Sequence, residues 1–138
     1  MQCFGQGNSL RSTVRADATP HARRRAGAGA RSEDAAARYL EAQGLTIITR
    51  NFSTRRGEID IIASDGATLV FVEVRMRSSS AFGGAAASIT AAKRARMVAA
   101  AGAFLSRLGR EPACRFDAIL FDGAEGARLT WERNILDV

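Results

Sequence analysis

Histidine, cysteine and lysine carry much hydrolytic and metal chemistry, yet this sequence holds one His, two Cys and one Lys, against nineteen Arg. The lone histidine, His21, sits in a stretch rich in Arg, Ala and Gly that is not expected to fold. A Ser-His-Asp or Cys-His arrangement and a His-ligated zinc all need a well-placed imidazole, so these mechanisms lose their central group. Cys3 and Cys114 are far apart and show no CxxC spacing, which leaves neither a disulfide framework nor a thiolate metal site, only two reduced thiols. No apolar run approaches the roughly 20 residues needed to span a bilayer, and the N-terminus has no apolar segment of the signal-peptide kind. The expectation is a cytoplasmic protein with no membrane partner, in which carboxylates carry any hydrolytic chemistry.

What remains is enough for one folded unit: 138 residues with 46% hydrophobic content. The net charge of +6 is unevenly spread, because residues 1–31 hold six arginines against Asp17 alone. Such a segment attracts polyanions, since each Arg–phosphate contact releases counterions. A solubilising or non-functional extension, or a start codon placed upstream of the true one, are the other readings. Residues 1–30 have neither helical nor strand periodicity and read as a disordered basic tail, with the domain over residues 31–138.

Within that domain, Ser32 is placed to N-cap a helix through "AAARYLEAQ" that stops at Gly44. A strand follows in "LTIITRNF", then a hairpin over residues 58–63 and 69–76 joined at Asp65-Gly66. After the small-residue stretch "SSSAFGGAAAS", the apolar positions Ile89, Met97, Ala100, Ala101, Phe104 and Leu108 keep helical spacing over residues 88–108. "CRFDAILF" and "ARLTWERNIL" supply two last strands. The order α-β-β-β-α-β-β, with a long helix between the third and fourth strands, predicts a parallel crossover and an α/β fold with a mixed β-sheet flanked by helices.

The hairpin carries ionisable groups inside its apolar runs. Along one strand Glu73 and Arg75 share a face with Leu69 and Phe71; along the other Glu58 and Asp60 share a face with Ile62. With the turn at Asp65-Gly66, Glu58 faces Glu73 and Asp60 lies on the diagonal, roughly 7–8 Å away between α-carbons. Crowded carboxylates repel and are costly to bury, and a divalent cation would compensate: Mg²⁺ takes one or two carboxylates, a carbonyl and waters. Charges pointing to solvent at a frayed hairpin end, with Arg75 pairing to Glu58 or Glu73, are the competing account. Glu33 continues the helix stripe of Ala36, Ala37 and Leu40, which suits a third ligand or a carboxylate orienting a metal-bound water. A helix N-terminus that favours a negative residue explains it equally.

The blocks "SEDAAARYLEAQGL", "TRNFSTRRGEIDIIASDG", "LVFVEVRMRSSSAFG", "ITAAKRARM" and "RFDAILF" together resemble the YraN family, bacterial members of the PD-(D/E)XK nuclease superfamily related to Holliday-junction resolvases. The resemblance covers about residues 31–138 and implies a restriction-endonuclease-like core. It also implies Asp60 and Glu73 as metal-binding acids for Mg²⁺ or Mn²⁺, the Val74 carbonyl as a further ligand, and Glu33 as the first-helix acid. Arg75 stands where the family pattern E-V-K has lysine, and Ser32 where glycine is usual. Arginine supplies charge, but its pKa is too high for proton transfer and its planar fork fills a different volume.

The implied catalytic set is therefore Glu33, Asp60, Glu73 and Arg75. The implied activity is metal-dependent endonucleolytic cutting of branched or structured DNA, where the metal activates a water and stabilises the leaving oxygen. The alternatives are a nucleic-acid-binding protein of nuclease fold whose cleavage is weak or lost through Arg75, and a small interaction module with a merely solvated charged hairpin. Lys93, the only lysine, matches a lysine typical of the family. It reads equally as a solvated helix residue and as a phosphate or catalytic contact. With Arg94, Arg96 and Arg77 it forms the expected nucleic-acid-binding set, and symmetric cutting of two strands would suit a homodimer.

Overall fold

The computed structural model describes residues 28–76, 89–122 and 128–136, with side chains from Arg31 onward. Most of the expected tail, and with it Cys3 and His21, lies outside the described residues, as does Arg77. Helix α1 spans Ala28–Ala42, so Ser32 lies a full turn inside it and does not cap it. The residues ahead of Ser32 include alanines and an arginine, good helix formers that let the helix run back past the expected start. Gly44, at φ 100, ends it as expected. There the chain turns sharply enough for Leu45 N–H to donate to the Leu40 carbonyl at 3.0 Å.

Strands β1 (Thr46–Ser53), β2 (Glu58–Asp65) and β3 (Thr68–Met76) form an antiparallel meander. Helix α2 (Ala91–Leu108) crosses over to β4 (Cys114–Asp122), which pairs with β3 in parallel, and β5 (Arg128–Glu132) returns antiparallel on β4. The five strands keep sequence order, which gives the mixed sheet with helices that the sequence predicted. One face, with Ile61, Val70, Val72 and Ile119, packs on Ala36 and Leu40 of α1. The other, with Ile62, Leu69, Phe71 and Phe116, packs on Met97, Ala100 and Phe104 of α2. No described helix is long and apolar enough to cross a membrane.

The hairpin turn differs from its sequence reading. Asp65 pairs with Thr68, so the loop is Gly66-Ala67. Gly66 alone has a positive φ, 63°, as a two-residue loop with glycine first requires. The Asp-Gly pair suggested a loop one residue earlier; the extra step moves Asp60, not Glu58, level with Glu73 when the register from Ile61↔Val72 is continued.

β5 is also shorter than "ARLTWERNIL" suggested. Asn134 takes a left-handed φ of 56 and breaks the strand, after which Leu136 enters the core beneath α2. Asp117, fully buried on β4, holds this corner: it accepts from Asn134 N–H at 2.9 Å, Trp131 Nε1 at 3.0 Å and Arg115 Nε at 3.1 Å. Asp117→Ala should leave those donors without their acceptor and cost about 3–5 kcal/mol, the usual price of breaking a buried charge pair. Urea unfolding checks this, and an unchanged midpoint would show that the corner holds itself.

Candidate functional site

The regular alternation of β2 breaks at Asp60. Ile59 joins the core under α2 while Ile61, two residues on, joins the core under α1. On the neighbouring strand the matching residue, between Arg50↔Ile61 and Phe52↔Ile59, is Asn51, held at φ 53. Asparagine tolerates that left-handed backbone better than most residues. The β2–β3 ladder ends at Ile61↔Val72, and beyond it the Asp60 side chain takes over: its Oδ2 accepts from Val74 N–H at 2.9 Å. The end of the hairpin is thus pinned by a carboxylate standing in for a backbone carbonyl.

Glu73, 5% exposed, lies beside this joint. Its burial, and then the nearby Asp60 carboxylate, push its pKa from 4.5 up to about 7, against the pull of Lys93 and Arg75. Lys93 Nζ is 3.3 Å from Glu73 Oε1, and Arg75 Nη1 is 3.8 Å from Oε2. Oε1 has no well-aligned hydrogen-bond donor, so the Lys93 contact is an ion pair more than a hydrogen bond. Lys93 occupies the first turn of α2, where Thr90 caps the helix by accepting from Lys93 N–H at 3.0 Å. A cation there opposes the helix dipole, and the Glu73 carboxylate offsets that cost. Glu73, Val74, Arg75, Met76, Thr90 and Lys93 line one open depression of about 450 Å³.

The structure therefore brings Asp60, Glu73, Val74, Arg75 and Lys93 together. Glu33 is buried as its stripe position predicted, but it comes from the α1 layer, where Arg50 Nη2 is 3.6 Å from its Oε1 and Nη1 is 2.8 Å from Asp34. Among the described residues no three His, Cys, Asp or Glu side chains are gathered tightly enough to hold an ion. The donor set is a pair of carboxylates. That pair still fits Mg²⁺ or Mn²⁺, which take one or two carboxylates and complete their shell with water and substrate oxygens. A carboxyl whose pKa is raised by burial and then by a second acid is the electrostatic deficit that a divalent cation would remove.

Arg94 and Arg96 are exposed on α2. Sequence reasoning passed over Arg55 and Arg56, in the turn between β1 and β2, although the Thr-x-x-Gly pattern at Thr54–Gly57 marks an ordered turn. It also passed over Asp117, whose place inside the apolar run "RFDAILF" repeats the anomaly that drew attention to Glu73. Cys114 donates to the Pro112 carbonyl at 3.2 Å, and burial followed by the Glu111 charge pushes its thiol pKa up, which favours the protonated thiol.

The model of the uncharacterised protein family UPF0102 matches residues 32–121, from α1 through β4. The chain belongs to this family. UPF0102, the YraN family of the sequence resemblance, thus includes both acids, Lys93 and the Thr54–Gly57 turn within the matched span. A UPF0102 protein of Janthinobacterium sp. (strain Marseille) is 51% identical over 110 residues, covering 80% of this chain and 87% of that one. One from Methylobacillus flagellatus is 54% identical over 100 residues, covering 72% and 88%. One from Ralstonia nicotianae is 51% identical over 118 residues, covering 82% and 88%.

Proposed function

We propose that the protein is a metal-dependent endonuclease acting on branched or structured DNA. The observation that carries this reading is the Asp60–Glu73 pair at the pinned end of the hairpin, with Glu73 near neutrality and the only lysine at 3.3 Å. Asp60 and Glu73 would hold a Mg²⁺ or Mn²⁺ ion, with the Val74 carbonyl as a further ligand. When bound, the ion lowers the pKa of a water and neutralises charge on the scissile phosphate. Asp60 is held in place by the Val74 N–H, which donates to its Oδ2 at 2.9 Å. Lys93 orients the attacking water and offsets charge developing on the phosphate, and Arg75 adds positive charge from the rim. Symmetric cutting of a junction asks for two copies of the chain about a two-fold axis.

The second reading, a nuclease fold that binds nucleic acid with weak or lost cleavage, is favoured by one observation. Arg75 sits in the motif position, 3.8 Å from Glu73, with a group that cannot exchange a proton. One experiment separates the two. Purified protein is incubated with labelled four-way junction, flap, single-stranded and duplex DNA in Mg²⁺, Mn²⁺ or chelator. Metal-dependent products that vanish in Asp60→Ala are expected, together with Mn²⁺ binding that Asp60→Ala and Glu73→Ala both lose. Tight DNA binding with no product selects the second reading. Equal Mn²⁺ binding by all three proteins would sink the metal site.

A further inference from the structure

Gly57, in the turn between β1 and β2, lies against the backbone of α2: a Cβ there would overlap the main-chain carbonyl of Arg96. The turn itself is tightly built. Thr54 N–H donates to the Gly57 carbonyl at 2.8 Å, while Thr54 Oγ1 accepts from Arg56 N–H at 3.1 Å and Gly57 N–H at 3.2 Å. Its two central residues, Arg55 and Arg56, are exposed, as are Arg94 and Arg96 on the helix it touches. None of the four makes an ion pair with another described residue. Two segments nearly forty residues apart in sequence are thus locked together at a backbone contact with uncompensated guanidinium groups on both sides of it.

We propose that Arg55, Arg56 and Arg96 form one surface that grips the phosphodiester backbone of a DNA duplex, next to the Glu73 depression. This rests on the nuclease reading and gives it a substrate-holding face. The planar guanidinium fork suits phosphate oxygens, and duplex DNA presents one charge per about 1.7 Å of axis, dense enough to engage several arginines at once. A rigid turn loses little freedom on binding, so its arginines are already ordered when the phosphates arrive. Lys93 belongs to the same helical turns as Arg96 but is occupied by Glu73, so backbone grip and chemistry fall to nearby residues of one helix. Contacts of this kind position a substrate and carry no sequence information, in keeping with recognition of shape over sequence.

The test measures binding of a labelled 20-base-pair duplex by fluorescence anisotropy over a series of salt concentrations, in chelator so that nothing is cut. Wild type is compared with Arg55→Gln/Arg56→Gln/Arg96→Gln and with Arg38→Gln, an exposed arginine of α1. Each phosphate no longer neutralised takes about 0.9 from the slope of log affinity against log salt, so the triple variant should lose roughly 3 from its slope while Arg38→Gln keeps it. Matching thermal melts show that the fold is intact, and Arg56→Gln alone should lose about 0.9. An unchanged slope in the triple variant overturns the proposal, as does loss of binding to phosphatidylserine vesicles with duplex affinity unaltered. The nuclease reading is scored separately: a wild type that cuts DNA while the triple variant keeps its slope removes this surface and leaves that reading standing. A wild type with the expected slope change and no cleavage does the reverse.

Discussion

In chelator at pH 8, Glu73→Gln will be more stable than the wild type by about 3 kcal/mol, and near pH 4 the two will be alike. The folded pKa of Glu73 is about 7 against 4.5 for an ordinary glutamate, so the native state holds a proton that the unfolded chain releases between those values. Stability therefore falls as pH rises from about 4.5 to about 7, by about 1.4 kcal/mol for each pH step of one within that window. Glutamine resembles the protonated acid, cannot ionise, and escapes that loss. In the variant Lys93 meets the same uncharged neighbour that it meets beside the protonated acid. Urea midpoints at pH 4 and pH 8 measure the difference. Adding Mn²⁺ at pH 8 should reverse the order, stabilising the wild type and leaving Glu73→Gln where it was. Identical pH profiles for the two proteins would mean that the Glu73 charge is fully solvated, and the electrostatic case for a cation would go with it.

On the proposed nuclease reading, the second large effect concerns which cation serves the reacting phosphate. Lys93→Ala will lower single-turnover cleavage on the order of 100-fold or more, the usual cost of removing one preorganised charge-stabilising donor. Arg75→Lys will gain little. The sequence put the emphasis on Arg75, because it stands where the family pattern has lysine. The geometry points elsewhere: the Lys93 ammonium is 0.5 Å nearer to Glu73, at 3.3 Å against 3.8 Å, and is held by the first turn of α2. Lys93→Arg tests the need for a compact ammonium and should recover DNA affinity without recovering rate. A strong gain from Arg75→Lys, or full activity in Lys93→Ala, would return the role to position 75.

The strands and α2 were legible because their signals are local. The apolar alternation of β3, the spacing from Ile89 to Leu108 and the stop at Gly44 each depend on a few neighbours in the chain. The anomaly of acids within apolar runs was legible too, and Asp60, Glu73 and Glu33 are all buried. What failed depended on distance. The hairpin register turned on whether Asp65-Gly66 or Gly66-Ala67 forms the loop, and both contain the glycine that such a loop needs. Helical phase showed that Glu33 points inward, as it does, but not that Arg50 would lie 3.6 Å from it. Lys93 read equally well as solvated or functional until the crossover carried α2 back over β3. The meeting of Gly57 with Arg96 has no trace in either segment alone.

The strand order also separates the site in time. β1, β2 and β3 are joined by short turns and can pair with their neighbours early, whereas β3 and β4 are parallel and must wait for the whole of α2 to be laid between them. Closing that long connection is the entropically expensive step, and most of the apolar surface under α2 is buried with it. On that order of events Glu73 would still be wetted on the open meander, and its burial would come only with closure. Lys93 and the arginines of α2 arrive only when the crossover closes. A proton is then taken up by Glu73 near neutral pH in the same event that completes the sheet, so proton uptake measured by an indicator dye during refolding should follow the slow phase of folding.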